Sequence, residues 1–128
     1  MPTCTFEYAI IRVVPRVERG EFLNVGVLLS CPQHDFLQAC LEPDWLRLKA
    51  FAPTLDCDLI ADYLRLIPII CAGGPEAGPI GQMPQRGRFH WLVAPRSTMI
   101  QLSPVHSGLC ENPGPTLERL MDSLVRVL

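Results

Sequence analysis

Thr5-Phe-Glu-Tyr-Ala-Ile-Ile-Arg-Val-Val14, closed by Pro15, is the stretch that decides the fold class. It is rich in β-branched and aromatic residues, which predicts a strand that the proline stops. Side chains alternate along a strand, so Phe6, Tyr8, Ile10, Arg12 and Val14 share one face. Ala9, Ile11 and Val13 take the other. Both faces are apolar at the centre, so this strand is expected in the middle of its sheet. Downstream, residues 22–31 read as a second strand with Asn24 and Gly26 as its odd members. A glycine inside a strand marks a bulge or a close backbone approach. Pro32-Gln33-His34-Asp35 turns the chain, and residues 36–42 complete an antiparallel hairpin.

The period then changes. Pro43 and Asp44 open a short helix to about Phe51. Asp56 is an N-cap for a longer helix whose apolar stripe is Leu59, Ile60, Tyr63, Leu64 and Ile67. Pro68 is expected to kink or end it. Residues 73–88 are rich in Pro and Gly and read as a long connection, a kind of segment that is usually functional or mobile. Residues 89–94 and 98–103 read as the fourth and fifth strands, with Pro95-Arg96-Ser97 turning between them and residues 104–110 irregular. A last helix from about Pro115 to Leu128 carries Leu117, Leu120, Met121, Leu124, Val125 and Leu128 on one stripe. The expected fold is α+β: one domain over residues 1–128, with an antiparallel or mixed five-stranded sheet and three helices packed on one face.

The chain has 128 residues, 48% hydrophobic and 19% charged, enough for a core and far from a disordered composition. Its net charge of −2 gives no basic face, so nucleic acid is not an expected partner. Ten of its eleven cationic residues are arginines, with Lys49 the exception. The first residues lack a basic and apolar leader, and no apolar run is long enough to span a bilayer. A cytoplasmic protein is expected, with its six cysteines as thiols.

No complete catalytic or cofactor signature stands in the chain, and no cofactor is expected. Cys31-Pro-Gln-His34 and His106-Ser-Gly-Leu-Cys110 together offer two thiols and two imidazoles, a legal but weak zinc pattern. Ser97, Ser103, Ser107, Cys31 and Cys110 are conceivable nucleophiles, with His90 and His106 as bases, but there is no Gly-x-Ser-x-Gly elbow. The glycines at 73, 74, 78 and 81 lack the Lys-Ser/Thr that ends a phosphate loop. Arg12 lies among apolar residues and needs a partner if buried. Glu7, Glu18 and Glu21 are within reach of it in sequence, and a structural Arg–Glu network is the expected arrangement. The sharper expectation is a groove in which Arg12, Arg16, Arg96 and His106 hold an anion. The candidate ligand- or partner-binding residues are therefore Arg12, Arg16, Asn24, Arg96, Ser97, Gln101, Ser103 and His106.

Two stretches carry a family likeness. One is Tyr8-Ala-Ile-Ile-Arg-Val-Val-Pro-Arg-Val-Glu-Arg-Gly-Glu-Phe-Leu-Asn-Val-Gly-Val-Leu-Leu29. The other joins Cys71-Ala-Gly-Gly-Pro-Glu-Ala-Gly-Pro-Ile-Gly-Gln82 to Arg88-Phe-His-Trp-Leu-Val-Ala-Pro-Arg-Ser-Thr98 and Ser103-Pro-Val-His106. Together they resemble the bacterial family called domain of unknown function 3037, over almost the whole chain. The resemblance implies no activity and no catalytic residues. It implies a protein partner, a kinase similar to the HipA persistence toxin encoded beside the gene, and so a toxin–antitoxin or defence setting. The expected function is a regulatory interaction module. The alternative is a small enzyme or a nucleotide- or anion-binding domain built on the Arg/His groove.

Overall fold

The computed structural model describes residues 2–126. β1 (Cys4–Val13) lies inside the sheet with partners on both edges, as its two apolar faces require. On one side it pairs with β2 (Leu23–Cys31), which pairs with β3 (Phe36–Leu41). On the other side β4 (Ile100–Leu102) lies opposite Ile11–Val13, and β5 (His106–Cys110) opposite Cys4–Tyr8. The order is β3-β2-β1-β4, with β5 also on β1. Every pair is antiparallel.

Local chemistry explains two details of this sheet. The register of β1 on β2 shifts between Ile11 and Arg12, which face Gly26 and Asn24, so Val25 is the extra residue of a bulge. Beside it, a Cβ on Gly26 would lie 2.4 Å from the Cys40 carbonyl oxygen, so the glycine marks the close approach that its place in the strand predicts. On the far edge, Pro104 cannot donate to a ladder. There the Ser103 N–H donates to the Ile10 carbonyl at 2.9 Å. The Ile10 N–H in turn donates to Ser103 Oγ at 2.8 Å. The hydroxyl stands in for the ladder carbonyl that the break between β4 and β5 removes.

Five α-helices stand among the described residues, where three were expected. α1 (Trp45–Phe51) and α2 (Cys57–Ala72) begin where expected: Asp56, the anticipated cap, accepts from the Leu59 N–H, and Asp44 likewise accepts from the Arg47 N–H, both at 3.1 Å. Pro68 does not end α2, which runs on to Ala72. The connection at 73–88 holds a 3-10 turn, the single-turn α3 (Gly78–Gly81) and the start of α4 (Gln85–Val93). α4 replaces the expected fourth strand. Phe89 and Leu92, three residues apart, are buried, while His90 and Trp91 point outward. Tertiary packing overrides the strand propensity of Phe-His-Trp-Leu-Val. Residues 106–110 are in turn a strand, not irregular. α5 (Pro113–Leu124) starts at the Asn112 cap, two residues before the expected start. Leu128, the last member of its stripe, lies outside the described residues.

The helices cover both faces of the sheet, not one. α1, α2 and α4 bury Leu48, Ile60, Leu64, Phe89 and Leu92 against Ile11, Val13 and Leu28. α5 buries Leu117, Met121 and Val125 against Phe6, Val27 and Leu29 on the other side. The physical reason is the burial of β2, where Val25 to Cys31, apolar but for Ser30, are all buried. A strand with no polar face needs a cover on each side. Each large side chain removed from water in these layers contributes about 1.5–3 kcal/mol.

Candidate functional site

The polar residues singled out in the sequence separate into two groups. One group is brought together. Across β2-β1-β4, Asn24, Arg12 and Gln101 are direct register partners and so form one polar row. Asn24 Nδ2 donates to the Leu124 carbonyl at the end of α5 at 3.1 Å, which puts the row on the α5 face. The Arg12 guanidinium lies 4.1 Å from the centre of the Phe22 ring. Arg12 Nε and Asn24 Oδ1 are both shielded from water with no hydrogen-bond partner among the described residues. The glutamates expected near Arg12 serve other arginines: Glu18 pairs with Arg16, Glu21 with Arg19 and Glu7 with Arg86.

The other group does not converge. Arg96 stacks 4.3 Å over the Trp91 ring and donates to the carbonyls of Trp91, Leu92 and Ala94. Its side chain closes the C-terminal end of α4, satisfying carbonyls that the helix leaves free. Ser103 is sealed at 2% exposure and bound to the backbone. Gln101, although in the row by register, spends its amide locally, with Nε2 donating to the Thr98 carbonyl at 2.9 Å. Arg16 and Ser97 are exposed, and His106 rests 5.4 Å from the Tyr8 ring. Tyr8 and Arg12 are four residues apart on β1, a rise of roughly 13 Å. An Arg12–Arg16–Arg96–His106 groove is not formed.

The zinc pattern does not assemble either. Among the described residues no group of three or more His, Cys, Asp or Glu is placed to hold a metal ion. His106 faces Tyr8, whereas Cys110 faces Cys4, and His34 Nε2 sits 3.3 Å from Cys4 Sγ instead. Burial pushes the Cys31 and Cys40 thiols up, and it pushes Cys71 up to about 12. These three are poor nucleophiles.

Sequence reasoning missed two arrangements. The first is polar: Arg86 of α4 pairs with Glu7 at 2.8 Å, donates to the buried Ser30 hydroxyl at 3.2 Å and lies 3.3 Å from His90 Nε2. It ties α4 to β1 and β2. The second is apolar. Between α2, α4 and β4 lies a groove of about 370 Å³ lined by Tyr63, Leu66, Ile67, Trp91, Leu92 and Met99, among others. The stripe of α2 that packs on the sheet is Ile60, Leu64, Ile67, Ile70 and Cys71. Leu59 and Tyr63, expected in that stripe, point outward with Leu66, at 37%, 48% and 52% exposure. They recur at i, i+4 and i+7, so α2 carries a second apolar stripe on its open side. Trp91 stands on the far wall of the groove, 38% exposed. The signal was in the sequence: α2 is apolar around more than one face.

No helix among the described residues is long and apolar enough to cross a membrane. Neither a curated protein nor a solved structure matches the chain. One family does match, across residues 8–125, which takes in the groove, the polar row and the sheet from Tyr8 onward. The chain belongs to the family described as protein of unknown function (DUF3037).

Proposed function

We propose that the protein is an interaction module that docks an apolar segment of a partner protein in the groove between α2, α4 and β4. The observation that carries this reading is that Tyr63 and Leu66, of the outward stripe of α2, share an open apolar cleft with Trp91. Large exposed apolar side chains gathered in one place mark interaction sites, whereas scattered ones do not. An amphipathic helix presenting anchors at i, i+4 and i+7 suits such a cleft. The proposed partner is a regulated enzyme, and a kinase similar to HipA is the first to try.

The test is affinity purification from the native host with wild type, Leu66→Asp, Tyr63→Asp and Leu109→Asp. All three positions are exposed, so folding tolerates the changes. The reading expects a stoichiometric partner on wild type and Leu109→Asp that is lost from both groove variants. A partner that stays on the groove variants, or no partner on wild type, contradicts it.

A second reading, an anion-binding domain, has one observation in its favour: the Arg12 Nε shielded from water without an acceptor. A ligand that binds only the folded state raises its stability. Under this reading inorganic phosphate or a nucleotide raises the melting temperature of wild type and not of Arg12→Met. No shift with either probe removes it.

A further inference from the structure

Three strand ends meet at one corner of the sheet on the α5 face: the start of β1, the end of β2 and the end of β5. Cys4, Cys31 and Cys110 stand there, beside the 3-10 turn Pro32–His34. Cys4 is the direct register partner of Cys110. Cys31 also neighbours Cys110, but it is fully buried and its own register partner is Phe36, so Cys4 is the accessible thiol opposed to Cys110. Directly opposed residues of an antiparallel pair have Cα atoms roughly 4.5–5.5 Å apart. A disulfide asks for about 4.4–6.8 Å. The Cβ atoms need to close by up to about 1 Å, which two strand ends allow.

The two sulfurs differ in access. Cys4 is part-exposed, while Cys110 is 5% exposed beneath α5. His34 Nε2, on the exposed turn, sits 3.3 Å from Cys4 Sγ, within reach of its proton. An accessible thiol with an adjacent base, and a buried thiol directly opposite, have the attacking and resolving roles of a two-cysteine redox pair.

We propose that Cys4, His34 and Cys110 form a thiol site whose substrate is a peroxide and whose product is a Cys4–Cys110 disulfide. His34 takes the Cys4 thiol proton. The Cys4 sulfur attacks a peroxide oxygen: an S–O bond forms, the O–O bond breaks, and the leaving oxygen takes the proton from His34 and departs as water. The Cys110 sulfur then attacks Cys4: the S–S bond forms, the S–O bond breaks, and a second water leaves with the Cys110 proton. Two thiols lose two electrons and one hydrogen peroxide becomes two waters. The disulfide staples β5, an edge strand, to the middle strand of the sheet. This site is independent of the docking groove on the other face.

The experiment treats the reduced full chain with stoichiometric hydrogen peroxide, blocks remaining thiols and maps the peptides by mass spectrometry. Wild type is expected to give one link, Cys4 to Cys110, with the melting temperature raised by about 5–15 °C and restored by dithiothreitol. Cys4→Ser and Cys110→Ala each lose the link, and Cys57→Ser keeps it. His34→Ala forms it at least about 100-fold more slowly. The map on wild type needs no variant to fold. A link between other cysteines, over-oxidised Cys4 with no link, or an unchanged rate in His34→Ala overturns the proposal.

Discussion

Replacing Ser103 with alanine separates a structural serine from a nucleophile. The hydroxyl accepts from the Ile10 N–H at 2.8 Å and donates to the Pro104 carbonyl at 2.9 Å, at a residue 2% exposed. Alanine keeps the backbone bond from Ser103 N–H to Ile10 but leaves the Ile10 N–H with no acceptor in a dry place. A buried donor left without a partner costs about 1–3 kcal/mol. For a domain of this size each kcal/mol moves the melting temperature by roughly 3–5 °C, so the fall is about 3–15 °C. Urea unfolding should give the same loss in free energy with the slope unchanged. Threonine, which keeps the oxygen, should recover most of it. An alanine variant within about 0.3 kcal/mol of wild type refutes the argument, because it means that the edge break does not depend on this hydroxyl.

Gly26→Ala puts a carbon 2.4 Å from the Cys40 carbonyl oxygen and 2.8 Å from Leu41 Cδ2, so β2 and β3 must part. The expected loss is about 1–3 kcal/mol or more by urea unfolding, and a neutral result contradicts the close approach. Arg126 gathers Glu42, Glu118 and Asp122, and its hydrogen bond holds the Glu42 carboxyl below its ordinary 4.5. A depressed carboxyl contributes stability that is present above its unfolded value and lost as pH falls through its folded one. The stability gap between wild type and Arg126→Ala should therefore be widest near neutral pH and close below 4.5. A gap that grows on acidification contradicts the sign.

The first three strands were legible because propensity, alternation and the Pro15 and Pro32 stops agree. Asp56 was legible as a cap, and Asp44 as a helix opening, because each precedes an apolar period. Residues 89–94 were misread because a buried pair at Phe89 and Leu92 is too short to show a helical period against Phe89, Trp91 and Val93, which favour strands. β5 was missed because His106-Ser-Gly-Leu-Cys110 has little strand propensity of its own; β1 supplies the order through pairing. The side on which α5 packs is not written in its own stripe. The hint lay in β2, whose apolar run forbids an open face. Among the candidate site residues, Asn24, Arg12 and Gln101 met across the sheet, as strand register alone brings them. Arg96 and Ser103 went to the backbone, because a helix end and a broken sheet edge leave carbonyls and an N–H that the nearest polar side chains satisfy. Leu59 and Tyr63 were placed in the packing stripe of α2, since nothing local separates its inner stripe from the outer one.

Backbone hydrogen exchange on the protein alone and with the captured partner tests the docking groove most directly. The account predicts new protection over α2, α4 and β4, in residues 57–72, 85–93 and 100–102, with α5 and β5 unchanged. Protection that falls on α5 or the β5 edge and spares α2 would contradict it.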